Sequence, residues 1–132
     1  MKILKKFLLG IIFFIGFLVL TFLSGFYYVD MIAGNVATKI YTDFNDDKTC
    51  YVSAYYIPYD DLEAAVGIPV TQIFFLFRGP VFYRVYDKNN ELLVSTQWNI
   101  NEMSDLNDHA RWIYHVLIYP GNSYESLKVP EC

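Results

Sequence analysis

Asp43, Asn45 and Asp47 open as a calcium loop does, with an oxygen ligand at every second position. That chemistry also needs Gly at the sixth loop position and a bidentate Glu at the twelfth. This chain has Lys48 and Ala54 there, so the segment reads as a solvated acidic turn. His109 and His115 stand six apart, which on a strand puts both imidazoles on one face. Two histidines cannot close a zinc site, and no Cys-x-x-Cys or His-Glu-x-x-His supplies the missing ligands. Edge or core positions account for them better, and neither a metal nor a cofactor is expected. Asp60, Asp61 and Glu63 cluster as the carboxylates of a glycoside hydrolase do, but adjacent acids on a strand point apart, and acids so placed usually open a helix or face solvent. There is no Gly-x-Ser-x-Gly elbow, no phosphate-binding Gly loop and no Cys beside a His. No catalytic residue is expected, and the chain reads as a binding protein rather than an enzyme.

The remaining reactive pair is Cys50 and Cys132. In an oxidising compartment an even pair reads as one disulfide, with two unrelated thiols as the alternative. Closing a loop of about 80 residues would stabilise the fold by roughly 4 kcal/mol in the chain-entropy model and fasten the C-terminus.

The compartment follows from the N-terminus. Residues 7–29 carry no charge, and as a helix they reach about 35 Å, enough to cross a hydrocarbon core of about 30 Å. Lys2, Lys5 and Lys6 precede this stretch and Asp30 follows it, with Tyr27 and Tyr28 at the far end. The positive-inside rule puts the N-terminus in the cytoplasm and the rest across the membrane. A cleaved signal peptide is the alternative, but the apolar run is long for one and no A-x-A-like site is present. Leu23-Ser24-Gly25-Phe26 has Phe where a lipoprotein box needs Cys, and the pilin pattern of Gly-Phe after the lysines is missing. The expected organisation is a tip and anchor over 1–29, a stalk or fraying last turn over 30–38, and an exported domain over 39–132.

In that domain β-type segments recur between turn residues. They fall at 39–44, 49–57, 72–77, 81–86, 91–98 and 109–119. Segment 49–57 alternates, with Cys50, Val52, Ala54 and Tyr56 on one face and Tyr51, Ser53, Tyr55 and Ile57 on the other. Segment 72–77 is wholly apolar and reads as a central strand; Asp87-Lys88-Asn89-Asn90 is a hairpin turn; 99–108 reads as polar loop. A brief helix over 60–66 is the one exception to sheet. The fold class is mainly β: an N-terminal transmembrane helix followed by a small antiparallel sheet or sandwich domain. No crossover helices suggest parallel units.

Composition limits the partner. The chain has 132 residues, 55% hydrophobic, which excludes disorder. From Asp30 onward, 7 basic side chains face 14 acidic ones, a charge that disfavours nucleic acid. Tyr51, Tyr55, Tyr59 and Tyr83 are candidates for a contact surface, since Tyr is favoured at interfaces. The layout resembles the small inner-membrane-anchored immunity proteins that protect bacteria from interbacterial toxins. The resemblance rests on the lysines plus anchor, on the size of the exported domain, and on FRGPVFYRVYDKNNELLVSTQW (residues 77–98). It implies a one-to-one complex in the periplasm that occludes a secreted toxin, with the bilayer met through residues 7–29. Charge and exposure then nominate Asp43, Asp46, Asp47, Asp60, Asp61 and Glu63, with Tyr55 and Tyr59 as anchors, for a basic partner surface. An accessory subunit of an envelope or secretion complex and a phage-type exclusion protein share this layout.

Overall fold

The computed structural model describes residues 1–99, 102–104, 109–121 and 123–132. Much of the expected polar loop over 99–108 lies outside the described residues. Helix α1 spans Lys2–Val36 and is long and apolar enough to cross a membrane. Its large apolar side chains are exposed as far as Leu23. From there it enters the domain: Phe26, Val29, Asp30 and Ala33 are buried. Residues 30–36, expected as stalk or fraying turn, are instead the last turns of α1, docked on the domain through the buried Asp30 and Ala33 while Met31 and Asn35 stay exposed.

Two antiparallel sheets follow. The first is β1 (Thr38–Phe44), β2 (Cys50–Tyr56), β3 (Val81–Asp87) and β4 (Leu92–Ser95), in that order across the sheet. The second is β5 (Arg111–Ile113), β6 (Val116–Pro120) and β7 (Tyr124–Lys128). Strand alternation separates two cores. Cys50, Val52, Ala54, Val81, Tyr83 and Val85 face the second sheet and pack with Leu117, Tyr119 and Val129. On the opposite side Ile57 and Phe82 meet the helices through Leu62, Phe74, Phe26 and Ala33. The molecule thus has a helix layer, a four-stranded sheet and a three-stranded sheet in sequence.

Helices α2 (Tyr59–Val66) and α3 (Ile68–Phe77) join β2 to β3. The helix expected over 60–66 is present as α2. Its acids Asp60 and Asp61 lie in the first turn, where the positive end of the helix dipole favours them. Gly67, at φ 90°, ends α2 and admits α3, a backbone that L side chains adopt only with strain. Thr71 Oγ1 donates back to the Gly67 carbonyl at 2.8 Å.

Residues 72–77, expected as a central strand, are instead the body of α3. A continuous apolar run does not distinguish a buried strand from a helix with apolar surroundings. Pro69 in the first turn and the Gly67 break favour the helix. The strand expected over 109–119 is also divided. Tyr114 takes a left-handed φ of 54° and turns the chain between β5 and β6. No Gly or Asn marks that turn in the sequence. Strand β7 was not expected from the tail.

Cys50 and Cys132 form a disulfide with Cα atoms 5.7 Å apart. Asn45, the middle residue of the calcium-like segment, is buried and organises the β1–β2 turn. Its Oδ1 accepts the Cys50 N–H at 3.2 Å, while its Nδ2 donates to Thr49 Oγ1 at 2.9 Å.

Candidate functional site

The helix layer covers one end of the outer face of the four-stranded sheet and leaves the other open. Register places Phe44, Tyr51, Tyr86 and Leu92 in one row across all four strands. The three rings touch in sequence, with centroids 5.4 Å apart for Phe44 and Tyr51 and 5.2 Å for Tyr51 and Tyr86. Phe44 and Leu92, at the two sheet edges, are each 54% exposed. Such cross-strand aromatic pairs stabilise the sheet by a few tenths to about 1 kcal/mol each.

The next row is polar: Thr42, Ser53, Arg84 and Ser95. Thr42 and Ser53 share a hydroxyl contact of 3.2 Å. Arg84 lies over the rings of Tyr55 and Phe82, at 4.9 and 5.1 Å from their centroids. Tyr55 and Tyr86 meet through their hydroxyls at 3.3 Å. Burial holds the Tyr86 phenol above its ordinary value, and the contact with Tyr55 adds to the shift. Neutral at physiological pH, it keeps its O–H to donate.

From Arg84 a polar chain runs inward to the end of the apolar helix. Arg84 Nη2 donates to Gln97 Oε1 at 2.6 Å, and Gln97 Nε2 donates to the Asp30 carbonyl at 2.9 Å. Arg78 Nη1 donates to Asp30 Oδ1 at 2.5 Å and to the Gln97 carbonyl. Asp30, Arg78 and Gln97 are all buried. Gly34 permits the close approach, since a Cβ there would strike the Gln97 carboxamide. The open face is therefore fixed to α1 by hydrogen bonds as well as by packing.

The nominated residues fall in different places. Tyr55 stands on this face, half-buried. Tyr59 is exposed at the start of α2 and stacks on Phe75 at 5.8 Å. Tyr83, considered for a contact surface, is 1% exposed on the inner face and belongs to the core. Asp43, Asp46 and Asp47 are exposed on β1 and the β1–β2 turn, whereas Asp60, Asp61 and the half-buried Glu63 lie on α2. Strand β2, about 20 Å long, separates the two groups, so the acids make two patches and not one. Asp43 pairs with Val52 and so sits on the side of the second sheet, where its carbonyl accepts Trp112 Nε1 at 3.2 Å.

No protein-family model, curated protein or solved structure matches the chain. Geometry must carry the functional reading.

Among the described residues no group of three or more His, Cys, Asp or Glu side chains could hold a metal. His109 stacks on Tyr41 at 4.3 Å, and His115 occupies the β5–β6 turn, so the two imidazoles do not share a strand face. What the open face offers is recognition chemistry: flat rings, three phenol hydroxyls and one guanidinium on a rigid sheet, the residue types enriched where proteins bind proteins. Phe44, Arg84, Tyr86 and Leu92 were missed by sequence reasoning, which weighed strands singly. The signal that would have found them is register. The Asp87–Asn90 turn brings Tyr86 opposite Leu92, whereas β2 and β3 are joined through α2 and α3, so no local signal put Tyr51 opposite Tyr86.

Proposed function

We propose that this chain is a membrane-anchored binding protein that captures a protein partner on the open aromatic face of its four-stranded sheet. In this reading α1 spans the inner membrane, Lys2, Lys5 and Lys6 stay in the cytoplasm, and the sheet domain lies in the periplasm. The partner is a secreted toxin, and the chain is its immunity protein. The observation that carries the reading is the row Phe44–Tyr51–Tyr86–Leu92 beside Arg84: an apolar row on a rigid sheet, its tyrosines half-buried and its ends Phe44 and Leu92 exposed, where a soluble surface would place charge. The exposed Asp46 and Asp47 follow Phe44 in the β1–β2 turn and favour a basic partner by electrostatic steering.

A photo-crosslinking amino acid at Phe44 of the full-length protein tests this in the native cells, with Tyr114 as the control position. One dominant exported protein captured from Phe44 and not from Tyr114 supports immunity. Several integral membrane proteins captured in fixed ratio from both positions would refute it and make the chain an envelope-complex subunit.

A further inference from the structure

Helix α3 turns an apolar side to the outside of the molecule. Ile68, Val70, Ile73 and Leu76 are exposed, Leu76 to 72%, while Thr71 and Phe74 face the core. No charged residue occurs from Val66 to Phe77. In water such a face is unfavourable, because transfer of apolar surface out of water is favourable.

Its position relative to α1 identifies what covers it. The Phe77 ring lies 5.6 Å from that of Phe22, and the Phe74 ring 5.4 Å from that of Phe26. At 1.5 Å per residue, Phe22 stands about 24 Å along α1 from Lys6. A hydrocarbon core of about 30 Å measured from that lysine includes Phe22, and Phe77 lies at the same depth. The groove between the two helices, about 470 Å³, is mainly apolar, with Thr21 and Tyr28 among its lining beside Phe22, Phe26, Ile73 and Phe74. Near the same level Tyr27, Tyr28 and Trp98 are exposed, with the Tyr27 and Trp98 rings 5.9 Å apart. These are the residues that settle at headgroup depth. Arg78, at the end of α3, shows no charge to this surface, because it is buried against Asp30.

We infer that α3 is a second membrane contact: it lies half-inserted in the outer leaflet beside α1, with Ile73 and Leu76 against the acyl chains and Ile68 and Val70 at headgroup depth. A helix can do this because its backbone groups bond internally. The exported domain is then seated on the bilayer at a fixed tilt, rather than carried above it on a stalk. This rests on the reading of α1 as a membrane span.

The test uses full-length protein, one copy per nanodisc of phosphatidylethanolamine and phosphatidylglycerol. With both native cysteines in the disulfide, one nitroxide is placed at each of Phe13→Cys, Ile73→Cys, Leu76→Cys and Tyr114→Cys. Collision with oxygen reports lipid, and collision with a water-soluble nickel chelate reports solvent. Labels at 13, 73 and 76 are expected to favour oxygen by severalfold over the label at 114. Oxygen preference at 13 with nickel access at 73 and 76 overturns the inference and leaves the anchor standing. Nickel access at 13 removes the anchor and the inference together. Labels at 73 and 76 screened from both reagents mean that protein covers α3, which also overturns it.

Discussion

Replacing Arg78 by Met tests how the sheet domain is fastened to the apolar helix. Met keeps most of the stem and removes the guanidinium, which holds Asp30 Oδ1 and the Gln97 carbonyl and lies 5.6 and 5.8 Å from the Phe74 and Phe82 ring centres. Asp30 is 0% exposed, so the carboxylate left behind has neither water nor a cation. Breaking a buried pair from one side costs about 3–5 kcal/mol, a third or more of the stability of many domains, which is about 5–15 kcal/mol. For a domain of this size the melting midpoint falls by at least about 12 °C. The pair is itself incompletely satisfied, since Asp30 Oδ2 and Arg78 Nε have no hydrogen-bond partner among the described residues. Removing both charges in Asp30→Leu/Arg78→Met is therefore expected to recover most of the loss, because apolar replacements of buried pairs are often neutral. Urea unfolding of full-length protein in nanodiscs, followed by the fluorescence of Trp98 and Trp112, measures both variants. A loss below about 1 kcal/mol for Arg78→Met, or a double variant as unstable as the single one, would refute a buried pair that clamps helix to sheet.

The disulfide joins residues 82 apart, so its reduction is expected to cost about 4.5 kcal/mol in the chain-entropy model. An unchanged thermal midpoint after reductant treatment, with both thiols then open to alkylation, would contradict that. Burial raises the Tyr41, Tyr86 and Tyr119 phenols above the ordinary value of about 10. Groups whose folded pKa is raised bind more protons folded than unfolded, so stability is full below about pH 10 and falls as pH climbs past it. Ultraviolet titration of phenolate is expected to show some tyrosines ionising late and together with unfolding. A single titration of all twelve at the ordinary value would exclude the effect.

Legibility in the sequence followed whether a segment's signal was local. The faces of β2 were readable because Cys50, Val52 and Ala54 alternate with Tyr51, Ser53 and Tyr55. The first set is core, and in the second Tyr51 and Tyr55 are half-buried while the small Ser53 is buried between them. The Asp87–Asn90 turn was readable because its chemistry is its own: Asp87 Oδ1 accepts the N–H groups of Asn89 and Glu91, at 2.8 and 3.0 Å, and Asn90 adopts a φ of 65°. The β5–β6 turn was not readable, because Tyr114 is held left-handed without a residue type that favours it. The Asp30–Arg78 clamp left no trace either: its partners lie 48 residues apart, and each alone passes for a surface charge at the end of an apolar run.

Residues 72–77 show what local reading lacks. An apolar run says only that both sides of the element meet apolar surroundings. In a water-soluble domain two packed layers supply them, which makes the run a central strand. Here one side is the core around Phe74, and the other points outward along a helix already apolar enough to cross a membrane. With α3 at the bilayer, as inferred above, a second apolar medium removes the need for a second packed layer. The same six residues then satisfy their backbone as a helix, without strand neighbours on either side. In a chain that opens with a membrane-length apolar helix, a later uncharged run packed against that helix has to be weighed first as a helix at the bilayer.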